Sequence, residues 1–275
     1  EGNQVAISID GKDVFYGFVF TKQRNKNGLI DVTAYDQLRY LKNKDTIQYE
    51  NKTASDVIKK LAESFYLDLG DIADTGYVIP ERLEDNKTLF DVVKNALEET
   101  LQVRRQMYVL YDDFGKLMLK NIESMKLDLL IHQETAENFD YSSSIDSNTY
   151  NRIRLAYDDE KKRRQFLQIP DPMSTDLGTI RKWGVLQYFE TVQNPQNIQA
   201  KAEGLLSLYN RKTRSLTVSK AFGDIRVRGG SSLPVTLDLG DVVANQYMIV
   251  EKVKHTISSD THFMDLTLIG GDFSA

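Results

Sequence analysis

Val5-Ala-Ile-Ser-Ile-Asp-Gly-Lys-Asp-Val-Phe-Tyr-Gly-Phe-Val-Phe20, then Asn27-Gly28, then Leu29-Ile-Asp-Val-Thr-Ala-Tyr-Asp-Gln-Leu-Arg-Tyr-Leu-Lys-Asn43, sets two turn signals among alternating apolar residues. Asp10-Gly11 and Asn27-Gly28 are strong hairpin signals, because both central residues of a type I′ turn need positive φ. Val5, Ile7 and Ile9 alternate with polar residues before the first turn. Phe18 and Phe20 follow on the next strand, and Ile30, Val32 and Ala34 alternate after the second turn. Alternation of period two between turns predicts three antiparallel strands with one face buried.

Beyond Asn43 the period changes. Ala54, Val57, Ile58, Leu61, Ala62 and Phe65 recur at the spacing of one helical face, with Thr53 as N-cap and Asp56 suited to the positive helix start. Gly70 and Asp71 break the chain after it. Asn51-Lys-Thr-Ala-Ser-Asp-Val-Ile-Lys59 is nearly repeated by Asn86-Lys-Thr-Leu-Phe-Asp-Val-Val-Lys94, and a second helix is expected from Leu89 to about Leu101. The offset is close to the ~34-residue tetratricopeptide period. Each copy nevertheless holds one helix, and Gly70, Gly76 and Pro80 stand where a second helix would be. Shared capping chemistry is the simpler account. Both copies also match the glycosylation sequon, which carries no weight without a secretory signal.

Residues 107–119 read as a hairpin turning through Asp112 to Gly115, and the Ser-rich stretch 141–147 as a boundary. Residues 151–157 read as a strand, 158–164 as a charged hairpin tip, and 165–169 as the returning strand, ended by Pro170 and Pro172. Asn194-Pro195 reads as an N-cap followed by Pro at the first helical position, opening a helix through Ala200, Leu205, Leu206 and Tyr209. Strand signals then follow at 215–218, 224–228, 233–237, 246–253 and 263–269, a spacing that predicts a closed or nearly closed barrel. The expected organisation is α+β, mainly β. Residues 1–44 form a first β domain, 45–104 a helical insertion, and 105–145 a hairpin region and boundary. Residues 146–275 form a second β domain with a helix-containing insertion around 158–212.

The 275 residues are 41% hydrophobic and 27% charged, an ordinary globular composition. A net charge of −5 is a poor basis for gripping phosphates. The absence of cysteine excludes disulfides, Cys-ligated zinc and thiol nucleophiles. No apolar run approaches ~18 residues, so no transmembrane helix is expected. The polar N-terminus runs straight into a strand, so no signal peptide is expected.

Three histidines exist, His132, His255 and His262. With Ser258-Ser259 at the centre of a hairpin, His255 stands directly opposite His262. Two cross-strand imidazoles with Asp260 or Asp265 nearby could ligate a metal. Two ligands of unset register are a weak signal and read more simply as ordinary sheet histidines, so no metal site is assigned. Asp112-Asp113 and Asp158-Asp159 are adjacent pairs, whereas glycoside hydrolysis needs two carboxyls a set distance apart across a cleft; they read as solvated turns. Gly223-Asp224 and Gly229-Gly230 read as turn residues. Lys161-Lys-Arg-Arg164 is a basic tip without stacking aromatics. Tyr108 and its alternating neighbours read as sheet packing. No phosphate loop, nucleophile elbow or His-Glu-x-x-His occurs. No catalytic, cofactor-binding or metal residue is assigned, no cofactor is expected, and a non-enzymatic assembly role leads.

Tyr16-Gly-Phe-Val19 and Val32-Thr-Ala-Tyr-Asp-Gln-Leu-Arg-Tyr-Leu-Lys42 resemble the tail hub protein of PBSX-like prophages, in the baseplate hub family of contractile phage tails and phage-tail-like bacteriocins. The resemblance continues through Thr88-Leu-Phe-Asp91, Tyr108-Val-Leu-Tyr-Asp-Asp-Phe-Gly-Lys-Leu117, Ser144-Ile-Asp146 and Asn151-Arg-Ile153. Trp183-Gly-Val-Leu-Gln187, Gly223-Asp-Ile-Arg-Val-Arg-Gly-Gly230, His255 and His262-Phe-Met-Asp-Leu266 extend it. No single motif is specific; their order and spacing are. The resemblance implies two tail-tube-like antiparallel β-barrel domains with helical insertions, in a homotrimer that joins the six-fold tail tube to the three-fold central spike and nucleates tube assembly. Partners so implied are the tail tube protein, the central spike and other baseplate proteins, with the tape-measure protein as a further candidate. Neither sequence-specific nucleic-acid binding nor membrane insertion is implied. The location implied is the baseplate of a virion or tail-like particle assembled in the bacterial cytoplasm. Family members carry further N-terminal strands, so the first barrel is expected to be incomplete, with strands from about 105–140 completing it. The alternative is a baseplate-associated protein that binds cell-wall carbohydrate or hydrolyses peptidoglycan.

Overall fold

A computed structural model describes residues 1–159, 163–166, 169, 173–238 and 243–270. Among these residues strand accounts for 50% and helix for 22%, so the fold is mainly β as expected. It divides into two compact units, residues 1–98 with 108–121 and residues 99–107 with 122–275. Among the described residues no helix is long and apolar enough to cross a membrane.

The first unit opens with β1 (Gln4–Ile9), β2 (Lys12–Arg24) and β3 (Ile30–Tyr35), an antiparallel three-stranded sheet. Asp10 (φ 50°) and Gly11 (φ 74°) make the first turn with the positive φ values their sequence announces. The second connection is organised by Asn25, whose carboxamide oxygen accepts from the amides of Asn27 (2.9 Å) and Leu29 (3.1 Å). Gly17 allows β3 to approach: a Cβ there would lie 2.3 Å from the Tyr35 carbonyl oxygen. A 3-10 segment, Gln37–Lys42, follows, capped by Asp36.

Next come β4 (Lys44–Thr53), α1 (Ala54–Ser64), β5 (Leu69–Ile72), β6 (Val78–Thr88) and α2 (Leu89–Arg104). The near-repeat proves to be strand, cap and helix together. β4 and β6 pair antiparallel, with Thr53 opposite Val78 and Lys44 opposite Thr88, so the two helices leave opposite ends of the pair. Asn51 (φ 51°) and Asn86 (φ 50°) both take the left-handed conformation. Both copies then close a capping box, Thr53 with Asp56 (2.9–3.1 Å) and Thr88 with Asp91 (2.6–3.3 Å). Thus 45–104, expected as a helical insertion, also contains strands. Periodicity does not announce them because Lys44–Thr53 is almost wholly polar, with Tyr49 reaching the core. Glu84, buried on β6, accepts from Arg82 and from the Asn95 amide nitrogen on α2. Tyr49 and Ile79 join Val57, Ile58 and Leu61 of α1 and Leu89, Val92 and Ala96 of α2 in one core.

β7 (Tyr108–Asp113) and β8 (Lys116–Asn121) form the expected hairpin, turning at Phe114 (φ 49°) and Gly115 (φ 84°). Their hydrogen bonds go to each other and, in parallel, to β5, with Leu69 opposite Leu117. They do not pair with β1–β3, contrary to the expected completion of the first barrel.

The second unit carries β9 (Ile131–His132), β10 (Asn138–Ser144), β11 (Arg152–Asp159), β12 (Arg163–Phe166), α3 (Leu177–Trp183) and β13 (Gln187–Val192). It continues with α4 (Ile198–Tyr209), β14 (Thr213–Phe222), β15 (Ser232–Asp238), β16 (Val243–Ile257) and β17 (His262–Gly270). Six strands pair in the order β10-β14-β17-β16-β15-β9, a curled half-barrel. Register shifts at Val218/Ala221 and Val250/Lys252 mark bulges, which bend and twist strands and so curl the sheet. Leu216, Val218, Leu233, Val235, Met248, Met264, Leu266 and Leu268 fill its core. A smaller sheet, β12-β11-β13, is covered by α4 through Ile153, Leu155, Val192, Ala202 and Leu205.

Three expectations are corrected in this unit. The Ser-rich stretch read as a boundary lies largely in strand β10, with Phe139 and Tyr141 packed on the core and the serines making a polar edge strand. Residues 224–228, read as a strand, form a turn in which the Asp224 carboxylate accepts from the Arg226 amide (2.9 Å) and guanidinium (2.7 Å). Asn194 does not cap a helix. Its side chain closes a turn on the Gln196 amide (2.9 Å), and α4 starts at Ile198 after left-handed Asn197 (φ 57°). By register Asp158 lies opposite Arg164 and Asp159 opposite Arg163, as the charged hairpin predicts; its tip, 160–162, with Lys161, is outside the described residues.

Two variants test these local arguments. Thr53→Ala removes a capping box and is expected to cost about 1 kcal/mol. Gly204→Ala places a Cβ 1.6 Å from the Gln102 carbonyl oxygen, so backbone must move; a loss of about 1–3 kcal/mol is expected. Urea unfolding of each variant against the parent chain measures both.

Candidate functional site

The first candidate surface is the β1–β3 sheet. Its cross-strand pairs divide the side chains into two faces. Tyr16, Phe18, Phe20 and Tyr35 share one face. Phe20 packs on Tyr35 (5.2 Å between centroids) and Tyr40 (6.2 Å), with the Arg39 guanidinium 5.5 Å from its ring, and Tyr16 packs on Phe114 of the β7–β8 turn (5.6 Å). The opposite face carries Val5, Ile7, Phe15, Val19, Ala34, Val32 and Ile30, with Lys22 across from Val32 and Arg24 across from Ile30. Ile7, Ile30 and Val32 are 47%, 48% and 51% exposed. The expectation of one buried face is not met: on the aromatic side Tyr16, Phe18 and Phe20 are half-buried and Tyr35 is exposed, while on the other side Val19 is buried and Ile7, Ile30 and Val32 reach water. Each of β1 and β3 also has one edge with no strand partner among the described residues.

Behind the aromatic face sits a polar clamp that sequence reading missed. The buried Gln37 side chain donates to the Asp68 carbonyl (3.1 Å) and to Asp112 (3.0 Å), and accepts from the Asp68 amide (3.0 Å). Asp112 also accepts from the Gly115 amide (2.8 Å), which holds the β7–β8 turn. Asp36, the cap of the 3-10 segment, is pushed up to about 6 by burial and then by the charge of Asp112, against the Leu38 amide that favours its ionised form. Asp112 is thus a partner of Asp36 and Gln37 rather than half of an Asp112-Asp113 catalytic pair. Nothing adjacent in the sequence links these residues, which are brought together by the fold.

The second candidate is the histidine pair. His255 is opposite Met264, and His262 opposite Ile257, so the two are diagonal neighbours and not directly opposed as expected. The four-residue connection 258–261, closed by the Ser258 amide on the Thr261 carbonyl (2.9 Å), sets this register. The rings still meet. His255 Nδ1 and His262 Nε2 are 2.9 Å apart, and His255 Nε2 is 2.9 Å from the Val227 carbonyl oxygen. The ring centroids are 5.1 Å apart, close to the nitrogen separation plus both ring radii, so the bond axis runs through both rings. Asp260 accepts from Ser259 (3.0 Å) and Asp265 from the Lys220 amide (3.0 Å), so neither joins the pair. His132 lies on β9, beyond β15 from the pair, with the Glu134 amide on its Nδ1 (3.3 Å). Among the described residues no group of three or more His, Cys, Asp or Glu side chains is placed to hold a metal.

A family model described as YQBQ-like matches residues 1–269. The chain is 30% identical over 277 residues to the uncharacterized protein YqbQ of Bacillus subtilis (strain 168), covering 98% of this chain and 81% of that one. It is 28% identical over 275 residues to the phage-like element PBSX protein XkdQ of the same strain, covering 98% and 82%. Among solved structures, the 43 kDa tail protein of prophage MuSo2 from Shewanella oneidensis superposes with a TM-score of 0.67 at 12% identity, over 99% of this chain and 84% of that one. At that identity the likeness is one of fold.

Asp36 makes a pH-dependent prediction. Its folded value is raised, so its contribution is fully present below the unfolded value of 3.8 and is lost as pH rises through about 6. Asn keeps the cap without the charge. Asp36→Asn is therefore expected to stabilise the chain at pH 7.5 by about 1 kcal/mol, after allowance for solvent screening at a partly exposed site. It is expected to give no gain at pH 4, and denaturant midpoints at the two pH values check this.

Proposed function

The chain belongs to the YQBQ-like family, and from that membership we propose that it is the structural hub at the end of a phage tail or phage-tail-like particle. In this reading three copies join the six-fold tail tube to the three-fold central spike and nucleate growth of the tube. The prophage tail fold supports it, as does the resemblance of its motifs to PBSX-like hubs. The observation that carries it is that β1–β3 exposes aliphatic side chains beside free edges.

Exposed apolar side chains beside unpaired strand edges mark surfaces suited to association. Here Ile7 at one end of the sheet, and Ile30 and Val32 at the other across from Arg24 and Lys22, stay about half exposed, and the same sheet presents free edges. Unpaired edges and uncovered apolar faces are the two features that strand addition and sheet packing consume. A ring of copies uses both at once. The second unit offers β10, a polar edge strand, as a further joining edge. The role is mechanical: capping the tube and holding the spike need contact area and no bond chemistry. A net charge of −5 suits a conduit for DNA, since like charge keeps phosphate from adhering.

Val32→Asp is expected to convert trimers to monomers in sedimentation experiments with unchanged far-UV circular dichroism, because the side chain is already half exposed in a single chain. Trimers that survive it would remove this face from the assembly. Immunogold electron microscopy of tail particles, with antibody raised against this chain, tests the location. Label is expected only at the spike end of the tube. Label on fibres, or on no part of the particle, would overturn the hub reading.

A further inference from the structure

His255 and His262 sit where the core of the curled sheet ends. By strand alternation they share the inner face with Val253, Met264 and Leu266, while Lys254, Thr256, Phe263 and Asp265 face outward. One bonding pattern satisfies both neutral rings. The Val227 carbonyl can only accept, so His255 Nε2 donates to it and His255 Nδ1 carries the lone pair. His262 Nε2 must then donate across the 2.9 Å link. His262 Nδ1 is left to take the first added proton, which leaves the link's donor and acceptor in place but puts a charge where burial opposes it. A second proton can land only on His255 Nδ1, and two N–H groups would then face each other.

We propose that the His255–His262 hydrogen bond is an acid-released latch that fastens the 223–231 turn to the tip of the β16–β17 hairpin. The proposal is independent of the hub reading. Three contacts show what the latch fastens. The Gly223 amide donates to the His262 carbonyl (2.8 Å), and the His262 ring lies where a Cβ on residue 223 would come within 2.1 Å of it. Val227, whose carbonyl anchors His255, is buried in the core of the sheet. Ile257, exposed on the same face, flanks the fastening on the hairpin side.

The charged groups around the pair bias it toward release at low pH. Asp224 faces His262 from the turn and favours its cation, but Asp224 is itself held by Arg226, which also reaches Asp128 (3.2 Å). On the hairpin Asp260 is engaged with Ser259, and Lys254 and Asp265 face outward. Burial, and then His255, hold His262 below the ordinary histidine value of 6.5. The released form therefore binds protons more tightly than the fastened form. The fastened form is favoured at neutral pH and loses ground as pH falls below 6.5.

Hydrogen exchange of the whole chain, corrected for the intrinsic pH dependence of amide exchange, tests the latch. Amides of 223–231 and 256–262 are expected to exchange faster below pH 6, by up to about tenfold per pH unit, while the strands of the sheet stay protected. His262→Gln is expected to remain protected at both pH values, because its carboxamide can donate to neutral His255 or accept from the protonated ring. His262→Ala is expected to exchange fast at both. Exchange in the parent chain that ignores pH after correction, or an acid acceleration equally large in His262→Gln, overturns the proposal. So does a nitrogen-15 imidazole spectrum at pH 7.5 that places the proton of neutral His255 on Nδ1.

Discussion

An apolar sheet face has to leave water, and each sheet in this chain meets that requirement differently. The β4–β6 pair and the β5-β8-β7 sheet are covered by α1 and α2. The β12-β11-β13 sheet is covered by α4. The six-stranded sheet covers itself, because two bulges curl it around a core of its own alternate residues. The β1–β3 sheet is only partly covered on either side, with Tyr35 exposed on one and Ile7, Ile30 and Val32 on the other. At ~25 cal/mol per Å² of apolar surface, these exposed side chains are a persistent drive toward association. The fold and the proposed assembly therefore share one cause.

Polar side chains decide where these layers meet. Gln37 joins the 3-10 segment to the approach of β5 and to the β7–β8 turn through three hydrogen bonds. Glu84 ties β6 to α2, and in the second unit Lys201 of α4 is held by Glu190 (2.8 Å) and Glu99 (3.6 Å). Buried polar groups without partners are costly, so each such contact fixes one arrangement against sliding alternatives. Glycine does the complementary work at two close approaches, Gly17 under β3 and Gly204 against the Gln102 carbonyl, where any side chain would separate the elements.

Legibility in the sequence followed the range of the interaction. Asp10-Gly11, the Phe114-Gly115 turn and the two Thr-x-x-Asp boxes were readable because each is closed within four residues. β4 and β6 were not, since their stability comes from pairing with each other and from the helices above them, and their own residues are mostly polar. The 224–228 stretch misled because Ile225 and Val227 alternate as a strand would, while Asp224 and Arg226 bond locally and turn the chain. Asn194-Pro195 misled for the same reason, its side chain closing a turn before the helix.

By itself the sequence determined the class of the fold, the hairpins and helix caps, the absence of thiol chemistry and, through ordered motifs, the family. These depend on composition and on contacts only a few residues apart. The tertiary structure alone decided which side chains of β1–β3 stay in water, where β7 and β8 pair, and that Asp36 shares its site with Asp112. It also decided that His255 and His262 bond each other diagonally, because loop length and bulges set cross-strand register. Those outcomes depend on what the rest of the chain can reach and cover, which is a property of the assembled layers and of no single segment.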